Sequence, residues 1–137
     1  MIYSPWQELA ARPHLTLEWA DRLPSRVLGH YVHARGLIRL RAGMARHQAR
    51  CVLAHELRHA EYGDEWPSTF HEKRADLEAA RLLIDPHALA DAAVIHARHL
   101  PAMARELRVT KKMLEVRIQH LHPAERGLLR QRLAEWG

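Results

Sequence analysis

The chain has 137 residues, enough for one compact domain and too few for two full ones. Its content of 47% hydrophobic and 27% charged residues is that of a folded globular protein, and it has no unbroken apolar run long enough to span a membrane. The net charge of +5 is uneven: residues 1–97 hold 12 Lys+Arg and 12 Asp+Glu, whereas residues 98–137 hold 9 Lys+Arg against 4 Asp+Glu, so the basic tail fits either an acidic partner such as nucleic acid or a plain solvated helix face.

In chain order, residues 1–10 lack a basic region followed by an apolar stretch, so no secretory leader is expected there. Residues 6–11 can form a short helix, stopped by Pro13. From His14 to Trp19 the pattern alternates, with Leu15, Leu17 and Trp19 set against His14, Thr16 and Glu18, which is strand periodicity. Residues 26–33 read as a second strand, Ala34-Arg35-Gly36 as a turn, and residues 37–42 as a third strand with Ile38 and Leu40 on one face and Arg39 and Arg41 on the other. The last two are expected to pair as an antiparallel hairpin with one wet face, ended by Gly43.

A helix is predicted over residues 46–62, with Gly63 as its C-terminal cap and Asp64 beyond it. It carries the lone cysteine, Cys51, which reads as a small buried packing residue rather than a stray ligand; a single cysteine excludes an internal disulfide and suits a reducing cytoplasm. Residues 65–69, with Pro67, read as a loop. Further helices are predicted over residues 71–84, stopped by Pro86, over 87–99, broken by Pro101, and over 102–107 and 111–121, joined by Arg108-Val109-Thr110. His122-Pro123 separates a last helix over 124–136. Strands first and helices after argue for an α+β fold, a small antiparallel sheet packed on helices.

The chemistry-bearing stretch is His55-Glu56-Leu57-Arg58-His59, an H-E-x-x-H pattern inside the predicted helix. Two histidines four residues apart project from one helix face and can grip one metal ion together. The glutamate between them is placed to act as the base toward an attacking water and then to hand the proton to a leaving amine. A catalytic zinc takes three protein ligands and keeps one position open. The next helix supplies the third. Glu72, Asp76, Ala79, Ala80 and Leu83 fall at i, i+4, i+7, i+8 and i+11 and form one face, apolar beyond its two carboxylates. Buried carboxylates need partners, and a metal with a histidine N–H would satisfy both. Glu72 is therefore the expected third ligand, with His71 the alternative. Asp76 is expected to accept a hydrogen bond from a ligand histidine, with direct ligation the alternative. Tyr62 and His71 are candidates to stabilise the transition state, and strand residues His30 and His33 are weaker ones. Arg58, at the position facing away from the metal, is expected to reach solvent. In the tail, Arg105, Arg108, Lys111, Lys112 and Arg117 could contact phosphates from a helix-turn-helix, or serve as a cap or a docking surface instead.

The run Ala54-His55-Glu56-Leu57-Arg58-His59-Ala60-Glu61-Tyr62-Gly63-Asp64, followed by Glu72, Ala75, Asp76, Ala79, Leu82, Leu83 and Pro86, resembles the ImmA/IrrE family of small metallopeptidases. The hairpin ahead of it (Gly36 to Leu40) and the tail from Leu107 to Leu121 fit the same family, so the resemblance covers roughly residues 26–121. It implies a minimal zincin-like, gluzincin-like core over residues 1–100 and a helical, helix-turn-helix-like basic extension over 101–137 packed on it as one unit. It implies His55, His59 and Glu72 as ligands of one Zn2+, Glu56 as the catalytic glutamate and Asp76 as the acidic residue after the third ligand. It also implies a bacterial or phage setting, with a DNA-bound repressor as protein substrate. One departure is clear: the usual small residue at position 58 is Arg here. The expected function is thus a cytoplasmic zinc endopeptidase acting on a repressor-type regulator. The alternative is a non-proteolytic DNA-binding or protein-binding regulator with a structural or vestigial metal site.

Overall fold

The computed structural model describes residues 2–66 and 68–136, so Pro67, on which the expected loop at 65–69 partly rested, lies outside the described residues, as do Met1 and Gly137. Among the described residues the fold is α+β, with seven α-helices and one three-stranded sheet. The chain divides into two compact units, residues 1–79 and 80–137.

The first unit opens with α1 (Pro5–Ala10), capped by Ser4, whose hydroxyl accepts from the Gln7 N–H. Three strands follow: β1 (Thr16–Ala20), β2 (Gly29–Val32) and β3 (Leu37–Arg41). Their order is β1-β3-β2. The hairpin of β2 and β3 is antiparallel as expected, with Tyr31 opposite Ile38 and His30 opposite Arg39. The first strand corrects the antiparallel expectation: β1 runs parallel to β3, Leu17 beside Ile38 and Trp19 beside Leu40, so the sheet is mixed. Residues 21–28 cross the end of the sheet where β1 stops, so β2 runs back antiparallel to β1 and β3 lies in the centre, where both of its backbone edges find partners. The second strand is also shorter than the predicted 26–33, because Arg26 takes a positive φ of 68° and His33–Arg35 form a 3-10 turn.

Helix α2 (Arg46–Tyr62) lies against β2, β3 and α1. Leu53 and Leu57, one turn apart, pack with Leu15, Tyr31, Ile38 and Leu40 to form the core of this unit. Full burial of a leucine contributes about 2 kcal/mol, so this stripe fixes the rotation of α2 about its axis. Helix α3 (Thr69–Leu83) buries Ala79, Ala80 and Leu83 of the predicted face together with Ala75, whereas Glu72 at its start remains half exposed.

The second unit contains the end of α3 and helices α4 (Pro86–Ile95), α5 (Leu100–Leu107), α6 (Lys111–Gln119) and α7 (Pro123–Trp136). Prolines 86 and 101 stand at the first turns of α4 and α5, where their missing N–H costs no hydrogen bond. Helix α4 packs on α5 and α7. Helices α5 and α6 are joined at Arg108, which adopts φ 58°, and Thr110 caps α6 by accepting from the Met113 N–H.

Arg117 of α6 is buried, and it is not one of the surface contacts its charge suggests. Its guanidinium donates to both Glu125 carboxylate oxygens (2.9 and 2.6 Å), while its Nε–H donates to the Ile84 carbonyl (2.9 Å). These bonds to Arg117, aided by the His122 backbone N–H, outweigh partial burial and pull the Glu125 pKa down to about 2. A depressed carboxylate contributes stability that is present above its unfolded pKa and lost as pH falls through the folded one. The second unit should therefore lose stability between roughly pH 4.5 and 2, and E125Q should remove that component while costing about 2–3 kcal/mol at neutral pH by leaving the buried Arg117 charge without its counter-ion. Thermal melts followed by circular dichroism across this pH range check both; equal acid sensitivity in the two proteins would contradict the assignment.

Candidate metal centre

His55 and His59 lie one turn apart on α2, with ring centroids 4.8 Å apart. Both present Nε2 to the same point, 3.1 Å from each other. Glu72, in the first turn of α3, closes the group: Oε2 lies 2.8 Å from His55 Nε2 and Oε1 lies 3.0 Å from His59 Nε2. These three residues can each offer a ligand atom within 4.8 Å of the others, a group that could hold a single metal ion. Zinc bonded at ordinary Zn–N and Zn–O lengths would set tetrahedral neighbours about 3.3 Å apart, close to what the three side chains already adopt. The donor set, two imidazoles and one carboxylate, matches that of catalytic zinc sites, and Glu72 leaves the group open, its side chain 47% exposed.

Each histidine has its second nitrogen occupied. His55 Nδ1 faces Asp76 Oδ1 at 2.7 Å, the contact expected from the position of Asp76 one turn after Glu72. His59 Nδ1 faces Asp64 Oδ2 at 2.9 Å, a contact not anticipated from the sequence. Asp64 reaches His59 because α2 ends in a Schellman turn. Gly63 takes φ 64°, its N–H donates to the Ala60 carbonyl, and the Asp64 N–H donates back to the His59 carbonyl. The chain thus folds over the last helical turn and lays the Asp64 side chain beside the ring one turn back. The Gly63-Asp64 pair after the motif was the available signal for this contact.

Burial works against a charge on His55, but the carboxylates of Asp76, Glu72 and Glu56 outweigh it and raise its pKa to about 10. Glu56 is buried, and burial pushes its pKa up while the two histidines pull the other way. A carboxylate moved from its ordinary range toward neutrality is better suited to shuttle a proton near neutral pH. Its enclosure depends on Gly29 at the start of β2: a Cβ there would lie 2.6 Å from Val52 Cγ1 and 3.2 Å from Glu56 Oε2. Only glycine lets the edge strand come this close to Glu56.

The remaining sequence candidates are placed elsewhere. The Tyr62 hydroxyl donates to Glu78 (2.6 and 2.8 Å), and its ring lies under the Arg74 guanidinium at 3.6 Å. His71 is not one of the three convergent residues; its Nδ1 lies 3.3 Å from the Trp66 carbonyl and its Nε2 3.7 Å from Asp64 Oδ1. His33 Nδ1 lies 2.9 Å from the Tyr31 hydroxyl, and His30 is exposed on β2. Arg105, Arg108, Lys111 and Lys112 are exposed around the α5–α6 turn. Arg58 does not reach solvent. It is buried on the α1 side of α2 and pairs with Glu8, which also accepts from the Tyr3 hydroxyl and pairs with Arg12. Packing against α1 covers the helix face that the spacing alone assigns to water.

No family model matches the chain, and neither the curated proteins nor the solved structures searched include a match. Among the described residues no helix is long and apolar enough to cross a membrane.

The geometry makes a direct forecast. Protein purified without chelators should hold about one zinc per chain by elemental analysis, and H59A, which deletes one of three donors, should hold almost none. Zinc bound equally by H59A would remove His59 from the ligand set.

Proposed function

We propose that this protein is a zinc-dependent endopeptidase of the ImmA/IrrE type, with a minimal zincin-like core, acting in the cytoplasm on a specific regulator, most simply a repressor. The observation that carries this reading is the convergence of His55, His59 and Glu72 beside a buried Glu56. Zinc held by these three side chains would supply Lewis acidity, polarising the scissile carbonyl and acidifying the attacking water. The protein does the rest. Asp76 and Asp64 hold the imidazoles so that each Nε2 faces inward. Glu56, enclosed by β2 and α2, takes a proton on its carboxylate as the water attacks and returns it to the departing amine nitrogen, so that amide cleavage yields a carboxylate and an amine.

The rival reading, a non-proteolytic regulator, draws on the four exposed basic side chains at the α5–α6 turn, whose two short helices and capped turn have helix-turn-helix proportions. One variant separates the two. E56Q keeps the shape of the side chain and all three ligands, so it should retain zinc while cleavage of a repressor-type substrate falls at least about a hundredfold. Mass spectrometry of the zinc-loaded reaction products reads this out. Unchanged regulation by E56Q in cells would overturn the peptidase reading and leave the regulator.

A further inference from the structure

Two carboxylates hold the two histidines, but they are not equivalent. Asp76 sits on α3 one turn beyond Glu72, so its place follows from the same helix that supplies the third ligand. Asp64 comes from the loop after α2 and has a second partner: Arg74 donates from a terminal guanidinium nitrogen to Oδ1 at 2.8 Å while Oδ2 faces His59. The Asp64 side chain is only 6% exposed. Its backbone N–H already completes the helix cap, so the side chain is not needed to end α2. The Arg74 guanidinium is itself held, 3.6 Å from the Tyr62 ring centroid and 5.3 Å from that of Phe70, and the Tyr62 hydroxyl is tied to Glu78.

We infer that Asp64 and Arg74 act together as a positioning pair for the metal centre, Asp64 fixing the ring and tautomer of His59 and Arg74 fixing Asp64. This inference rests on the zinc reading above. A carboxylate on Nδ1 keeps that nitrogen protonated, leaves the Nε2 lone pair for the metal, and makes the imidazole a stronger donor. The ion pair with Arg74 locks one carboxylate oxygen and so restricts the other to the His59 direction. The arrangement runs from Glu78 of α3 to the ligand: Glu78 to Tyr62 at the end of α2, Tyr62 to Arg74, Arg74 to Asp64, Asp64 to His59. Neither residue touches the reacting atoms.

The test is metal affinity and ligand-field geometry in the full-length protein. D64N keeps the size of the side chain and removes its charge. It should weaken zinc binding about ten- to a hundredfold in competition with a chromophoric chelator. It should also shift the visible d–d bands of the cobalt-substituted protein, a change that a loss of stability alone would not produce. R74Q should move both readouts in the same direction by a smaller factor, and it decides the matter if D64N does not fold. Wild-type zinc affinity together with an unchanged cobalt spectrum in the folded variant would overturn the positioning role while leaving the metal centre intact. Wild-type protein that binds neither zinc nor cobalt would instead remove the zinc reading itself, and this inference with it.

Discussion

Two imidazoles largely buried one turn apart on α2 present four ring nitrogens, and each needs a partner because an unpaired polar atom removed from water costs a few kcal/mol. Much of the first unit's polar architecture answers that demand. Asp76 takes Nδ1 of His55, Asp64 takes Nδ1 of His59, and the two Nε2 atoms are left facing each other and Glu72. The hydrophobic stripe of Leu53 and Leu57 fixes α2 against the sheet, and the direction of His55 and His59 follows from that rotation. Packing sets which face is buried; hydrogen bonding then sets what must surround it.

The same helix carries a second buried charge on a different side. Arg58 pairs with Glu8 of α1, and Glu8 is shared with Tyr3 and Arg12. Burial first, then the Glu8 contact, raises the Tyr3 pKa well above the ordinary phenol range, so this hydroxyl stays protonated and donating. A buried ion pair returns its desolvation cost only with good geometry and added hydrogen bonds, which is what the Tyr3 and Arg12 contacts supply. The N-terminal helix is thereby fastened to the helix that carries His55 and His59. The polar demand on one face of α2 and the ionic one on another both restrict how the helix can move relative to the sheet.

What was legible in the sequence follows the range of the interaction. The spacing of His55 and His59, and of Glu72 and Asp76, is a property of one helical turn and could be read directly. The order of the helices could be read for the same reason, although Pro86 and Pro101, which the sequence pattern reads as breaks, stand inside the first turns of α4 and α5. Pairing of β1 with β3 in parallel could not, because alternation along a strand is identical whichever neighbour it meets. Arg58 and Glu8 are 50 positions apart, and nothing in either local pattern joins them. Arg117 illustrates the converse error. It belongs to a cluster counted as basic, yet Glu125 and the Ile84 carbonyl absorb it, so a count of positive residues overstates the charge the α5–α6 turn offers to a partner. Asp64 is an intermediate case: the glycine before it announced the helix end, but the consequence of folding back onto His59 needed three dimensions.

The charge surrounding the two imidazoles gives a reason for a cation that does not depend on resemblance. Asp64, Asp76, Glu56 and Glu72 stand within hydrogen-bond or ion-pair range of His55 and His59, and Arg74 neutralises only the first of them. The consequence is visible at His55, where carboxylates raise the pKa to about 10 even though burial alone would lower it. Carboxylates on several sides of the two imidazoles favour positive charge at that point. A divalent ion would meet the same field with twice the charge and with the tetrahedral spacing that Nε2, Nε2 and the Glu72 carboxylate already adopt, and its binding would release the proton. Surplus carboxylate is costly for a merely structural histidine pair and favourable for a metal site. The excess of acidic groups over Arg74 therefore supports the zinc reading on electrostatic grounds, separately from the spacing of the ligands.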